Sequence, residues 1–415
     1  DGDHDVLRSP HFLWLHEFES RDEGAKIRKI REDRSRYTNC MEIVVSTWVS
    51  LVLKRDPVIP DFIQKKVFGD DGINDVDGEG SNLKTFLREK VAPIYFGLGN
   101  AHILTNVPSI DVINRKEEQS AGIKPFWTVI NPLAIKDWMF TDDVISLKRY
   151  KEIRWEYLAD GERKSLRDSH EEYVYSKHLA IVDGKVIEFR YKAATPHKPG
   201  VKTKDWEELK PAELQGWDRL PIAFVLSDTW LKEVKEQQLR LFNLESALDS
   251  QILAQTFQRI FITGVTSEKA KVQLHEFVIN FLPEGANVTV VEPSSPVSLE
   301  RRIETVTKML FKVAFNLQFL VSEGSKESPS ADSTKAMKEE MISLALNAID
   351  DLELLINRAT ADYAKFKKID GPLEPIKLSR EITDADIDKV IQIATSVFEQ
   401  MIQSNTWTRE YLKSL

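Results

Sequence analysis

Three long helical patterns, interrupted twice, organise the second half of the chain. Over residues 230–257 apolar side chains fall at Trp230, Val234, Leu241, Leu244, Leu248 and Ile252, the spacing of one buried helical face. A second helix is predicted on Ile303, Val306, Leu310, Val313, Leu317 and Leu320. A third is predicted over residues 335–363, on Met337, Met341, Leu344, Ala348, Leu352, Leu355 and Ala359. Between the first two, residues 259–295 hold the apolar runs 260–262 and 288–291, which predict short strands. Between the last two, residues 322–333 are a run of Ser, Gly, Pro and charges. At about twelve residues that run is long for a helix connection, a length typical of functional or disordered loops.

The first half mixes helical and alternating patterns. Residues 37–53 read as an apolar helix stopped by Lys54-Arg55-Asp56-Pro57, because proline disfavours helix in the residue before it. Ser81 is placed to cap a helix running to about Tyr95, with Pro93 marking its distortion or end. Residues 101–106 and 126–130 read as strands, and alternation over 146–190, with Asp183-Gly184 as a hairpin turn, predicts antiparallel β-structure. Residues 195–216 read as loop, 220–226 as a buried strand and 376–378 as a short strand. A helix is predicted over 384–403, with 408–415 beginning another. The fold class is therefore α+β, with a mainly helical C-terminal half.

Composition narrows the function classes. At 415 residues, with 30% charged residues and a mean hydropathy of −0.33, two or three domains with a large core are expected. Cys40, the one cysteine, excludes an internal disulfide framework and a multi-cysteine zinc site, and fits a reducing compartment. No basic segment followed by an apolar run opens the sequence, and the most apolar window, 41–53, is too short to span a bilayer, so no membrane partner is expected. A net charge of −9 argues against a tight grip on nucleic acid, which needs clustered Lys and Arg, but not against DNA that slides past. The basic run 26–36 reads as a solvated helix face in preference to a binding patch.

Candidate chemistry is sparse. There is no Gly-rich run ending in Gly-Lys-Ser/Thr, and Gly97-Leu98-Gly99-Asn100 precedes a strand instead of opening a helix. Asp142-Asp143 and Asp350-Asp351 are sequence neighbours, which do not face each other as an acid–base pair must. No Gly-x-Ser-x-Gly elbow occurs, and Cys40 in an apolar helix is expected to be inert. Asp75, Asp77, Glu79 and Gly80 resemble the start of a calcium loop, but its twelfth position is Phe86 and not the closing acid, so a polar turn is preferred. His16-Glu17 and His275-Glu276 each lack the second histidine of a zinc pair. No catalytic residue, metal site or cofactor is expected.

Several segments, in order, resemble the portal proteins of tailed bacteriophages, in the portal-like group found in many prophage sequences. Residues 37–57 (YTNCMEIVVSTWVSLVLKRDP) are similar to that group's first wing helix, and 74–83 (NDVDGEGSNL) to its Asp-Gly-x-Gly-x-x-Leu turn. Residues 125–138 (PFWTVINPLAIKDW) resemble a wing strand, and 220–226 (LPIAFVL) the strand before the first stem helix. Residues 261–264 (FITG) and 282–294 (LPEGANVTVVEPS) resemble clip segments, and 328–341 (SPSADSTKAMKEEM) the helix after the tunnel loop.

The resemblance implies a portal-type ring subunit with an α/β wing, a two-helix stem, a small β-containing clip and a helical C-terminal part. On this chain the wing would span 1–226, the stem helices 227–258 and 297–320, the clip 259–296, the tunnel loop 321–334, and the long helix with further wing or crown helices 335–415. It implies a homo-oligomer, a ring of twelve, at the capsid vertex of the virion, assembled in the host cytoplasm. Double-stranded DNA would pass through it during packaging and ejection. Its protein partners would be the terminase large subunit, the major capsid and scaffold proteins, and a neck or adaptor protein. Channel residues would be Ser322, Glu323, Gly324, Ser325, Lys326, Glu327, Ser328 and Lys335, and clip docking residues Phe261, Gly264, Leu282, Glu284 and Val290. At −9 per subunit, twelve copies carry roughly −108, a field that repels DNA except where lysines such as Lys326 offset it. The alternatives are another phage head, neck or scaffold component and, from a different class, a hydrolase using scattered carboxylates. A ring with its seam helices around a hole marks a portal, a pocket gathering several acids in one subunit the hydrolase.

Overall fold

The computed structural model describes residues 12–15, 19, 25–35, 37–69, 72–106, 124–141, 149–161, 171–198, 203–214, 217–227, 231–256, 259–263, 287–291, 297–315, 331–369 and 371–414. The helices are α1 (Ala25–Arg34), α2 (Cys40–Val52), α3 (Leu83–Phe86), α4 (Ala92–Leu98), α5 (Lys232–Thr256), α6 (Val297–Phe315), α7 (Ala331–Phe366) and α8 (Asp384–Ser414). The strands are β1 (Asn100–Asn106), β2 (Phe126–Ile130), β3 (Ile135–Phe140), β4 (Tyr150–Asp160), β5 (Glu172–Val182), β6 (Lys185–Ala193), β7 (Trp206–Glu213), β8 (Ile222–Leu226), β9 (Arg259–Thr263) and β10 (Asn287–Val291). The protein is α+β, as the patterning predicts. It divides into a helical unit, Asp1–Glu42 with Lys232–Ser330 and Ile391–Leu415, and a sheet unit, Ile43–Leu231 with Ala331–Val390.

In the sheet unit a three-stranded antiparallel sheet, ordered β2-β1-β8, carries the long helix α7 against β8 and β1. Strand β1 is buried along its middle, and α7 turns Met341, Ala345, Ile349, Leu352, Ile356, Ala359 and Tyr363 inward at helical spacing. Trp127 is fully enclosed, with ring centroids of Phe68, Phe86 and Tyr363 at 5.5, 5.8 and 6.4 Å. A second sheet, β3-β4-β5-β6-β7, is antiparallel throughout. Its Tyr150, Ile153, Trp155, Leu179 and Val186 form one apolar cluster with Leu104, Ile130, Ile222 and Phe224 of the first sheet. The β5–β6 connection is Asp183-Gly184 with φ of 50° and 75°, both left-handed as a two-residue hairpin turn requires.

Four sequence expectations are corrected. The 195–216 segment contains β7, an edge strand of mostly exposed residues that no hydrophobic alternation marks. Pro211 is tolerated there because the register shifts between Glu188 and Arg190 of its partner strand. Asn82, not Ser81, caps α3, accepting from the Thr85 N–H at 2.9 Å, since Ser81 donates its own N–H to Asp77 at 3.1 Å. Residues 376–378 form no strand. Lys377 makes a single bridge to Val58, and the Asn357 side chain takes both backbone groups of Ile376, at 2.8 and 2.9 Å. The last helix is continuous through Ser414 instead of two helices. Pro93 does mark a distortion: it sits in the first turn of α4, directly after the π-helical turn Leu87–Val91.

Candidate functional site

The helical unit contains the segments from which a channel and clip would be built. Helices α5 and α6 pack on each other, and the described strands between them in sequence, β9 and β10, pair antiparallel. The buried face of α6 comprises Ile303, Val306, Thr307, Leu310, Phe311, Ala314 and Phe315. Val313, expected on this seam, is only half-buried, because the 3.6-residue repeat carries the face from Leu310 to Phe311 and Ala314. In the strand pair Phe261 lies opposite Thr289 and Val290 opposite Ile260, so these two expected docking positions occupy adjacent rungs. Gly264, Leu282 and Glu284 lie outside the described residues, as do Ser322, Glu323, Gly324, Ser325, Lys326, Glu327 and Ser328.

The C-terminal end of the expected tunnel loop is corrected. Helix α7 begins at Ala331, so Asp332, Ser333 and Thr334 are helical and Lys335 lies within its first turns. Asp332 in the first turn complements the positive end of the helix dipole, which favours this early start. Lys335 is exposed, with Glu339 one turn on at 3.9 Å, a pairing that is weak in water.

The most developed polar arrangement of the helical unit was not legible in the sequence. Helix α5 holds the N-terminal segment through side chain–backbone bonds. The Asn243 amide donates to the Phe12 carbonyl at 2.8 Å and accepts from the Trp14 N–H at 2.7 Å. Five residues earlier, the Gln238 amide donates to the Thr38 carbonyl at 2.7 Å and accepts from the Cys40 N–H at 3.1 Å. Ser246 pairs with Ser35 at 2.8 Å, and Phe242 meets Tyr37 edge-on at 5.9 Å. Thr38 Oγ1 donates to the Glu245 carboxylate, at 3.1 and 3.0 Å from its two oxygens. Burial pushes Glu245 up to about 7. Cys40, at the start of α2, is buried, and burial pushes its thiol up to about 12, which makes it a poor nucleophile. The only advance signal is that Gln238, Asn243 and Ser246 interrupt the apolar face of a helix.

The solvated reading of the basic run is corrected at Arg28 and Arg31. Arg28 and Arg31 on α1 are buried, and the Arg31 guanidinium binds both oxygens of the buried Glu19 at 2.6 and 2.7 Å. Arg28 donates to the Leu13 carbonyl at 3.0 Å and pairs with Glu32. These two arginines are spent on internal structure, while Lys29 of the same run is exposed, as a solvated face expects.

Polar groups of the sheet unit are likewise internally committed. Asp75 and Asp77 accept backbone N–H groups of Gly80, Glu79 and Ser81 at 2.8–3.1 Å, and Lys90 pairs with Asp77 at 2.7 Å and with Glu79. Hydrogen bonding to Lys90, Ser81 and backbone amides holds Asp77 well below the usual carboxylate range despite its partial burial. An ammonium group thus occupies the place between Asp77 and Glu79, two of the acids of the calcium-like turn. Asp350 pairs with Arg380 while Asp351 accepts from Tyr95 at 2.6 Å, so the adjacent carboxylates diverge. Buried His102 shares a 2.9 Å hydrogen bond with Tyr150, and burial lowers it to about 4. Asp362 is pushed up to about 6 by burial despite its 2.6 Å pair with Arg219. Among the described residues no group of three or more His, Cys, Asp or Glu is placed to hold a metal ion, and no helix is long and apolar enough to cross a membrane. No family model matches the chain, and no curated protein matches it.

Proposed function

We propose that this chain is a portal-type ring subunit, a conduit for double-stranded DNA at a phage capsid vertex and a docking site for terminase and neck proteins. One observation carries the reading. A packed helix pair has an antiparallel strand pair between its members in sequence, and a polar segment then leads to a 36-residue helix. This is the order in which stem, clip, tunnel loop and long helix follow one another in the resemblance. The charge of −9 supports it, since a passive conduit gains from weak contacts and a tight grip would slow translocation. Partners of this reading are further copies of the chain, DNA, the terminase large subunit, major capsid and scaffold proteins and an adaptor, with assembly in the host cytoplasm. In this reading the subunit has no catalytic role, and Lys326 is the channel cation nearest the DNA.

The test is the purified chain itself, imaged in negative stain and sized by sedimentation. Rings of twelve or thirteen subunits with a central hole are the expected result. A compact monomer across the micromolar range sinks the proposal.

A further inference from the structure

The hold of helix α5 on the N-terminal segment has an uneven chemistry. Gln238 and Asn243 each satisfy one backbone donor and one acceptor, a neutral arrangement indifferent to pH. Between them in sequence and Ser246, Glu245 offers a carboxylate whose described donor is the single hydroxyl of Thr38. Among the described residues it makes no ion pair, and the charge that acts on it is Asp249, one helical turn on, which disfavours its ionisation. From the held segment it faces Cys40, whose thiol sits too high to ionise near neutrality, and Tyr37 beyond it is raised as well. Neither of these groups of the held segment titrates near neutral pH.

We propose that Ser35 and residues 37–40 form a strap latched onto α5, and that the protonation state of Glu245 sets how tightly the latch holds. This inference does not rest on the channel reading. With Glu245 protonated, Thr38 and the carboxyl form a neutral hydrogen-bonded pair beside Asp249. With it ionised, a negative charge is held in a desolvated place beside a second carboxylate, with one neutral donor to offset it. When the strap lifts, water solvates the carboxylate and its affinity for a proton falls to the ordinary range. The closed latch consequently binds the proton more tightly, and opening is favoured as pH rises from 4.5, the ordinary value, through about 7.

Hydrogen exchange of the full chain, corrected for intrinsic rates, reads the latch at the Cys40 amide, which donates to the Gln238 side chain. Protection is expected to fall about tenfold between about pH 6 and pH 8. Glu245→Gln keeps an acceptor for Thr38 and removes the titration, so its protection should be flat over that window. Thr38→Val removes the donor that favours ionisation and so raises the closed-state value alone; its loss of protection should continue to a higher pH and be larger between about pH 6 and pH 8 than in the native chain. A flat profile in the native chain overturns the proposal. So does a Glu245→Gln variant that keeps the native slope.

Discussion

The two units reach stability by different chemistry. In the sheet unit, Trp127, Phe68, Phe86 and Tyr363 interlock without charge, and a second apolar cluster joins the two sheets. In the helical unit, the N-terminal segment is held by amides, hydroxyls and ion pairs reaching backbone groups. Apolar burial is non-directional and tolerates small shifts, whereas each polar bond requires one geometry and penalises its loss. The contrast implies that the sheet unit carries most of the stability, while the helical unit carries a specific and pH-responsive attachment.

The largest effect should come from the sheet unit's centre. Trp127→Ala empties a fully buried ring site and is expected to cost about 3–5 kcal/mol in chemical denaturation. A loss below about 1 kcal/mol would break the comparison. Next is the buried pair of the helical unit, in which the Arg31 and Glu19 side chains are 4% and 3% exposed. Arg31→Met takes from the buried Glu19 its two short bonds and leaves Arg28 at 3.7 Å, and should cost about 3 kcal/mol. Adding Glu19→Leu should return a large part of that loss, because two apolar groups need no partners. If the double variant is as unstable as the single one, the pair contributes by something other than mutual neutralisation. The smallest effect sits at Gly184, φ 75° with open space where a Cβ would go. Gly184→Ala should cost about 1 kcal/mol from backbone strain alone.

Legibility followed the same divide. The strands β1, β2 and β8, helices α5, α6 and α7, and the Asp183-Gly184 turn were visible because local periodicity or a two-residue signature specifies them. Strand β7 was not, because an edge strand with both faces near water carries no alternation. Arg28 and Arg31 of α1 looked solvated because Glu19, which pairs with them, stands outside the helical repeat. Of the candidate site, the packed helix pair and the strand pair were legible, and the latch was not. Gln238, Asn243 and Glu245 acquire their roles only from residues some two hundred positions away.

By itself, the sequence determined the α+β class, the run of long helices with their short strands, and the weak case for a nucleic-acid grip. Those properties depend on spacing, composition and net charge, which every chain segment carries with it. Only the tertiary structure decided which charges are buried, and it turned Arg28 and Arg31 of the basic run into members of internal ion pairs. It also decided that burial pushes Glu245 up to about 7 while Lys90 and backbone donors hold Asp77 well below the usual carboxylate range. Both are ordinary carboxylates in sequence. Their difference is the presence of Lys90 and backbone donors at one, and a single neutral hydroxyl at the other.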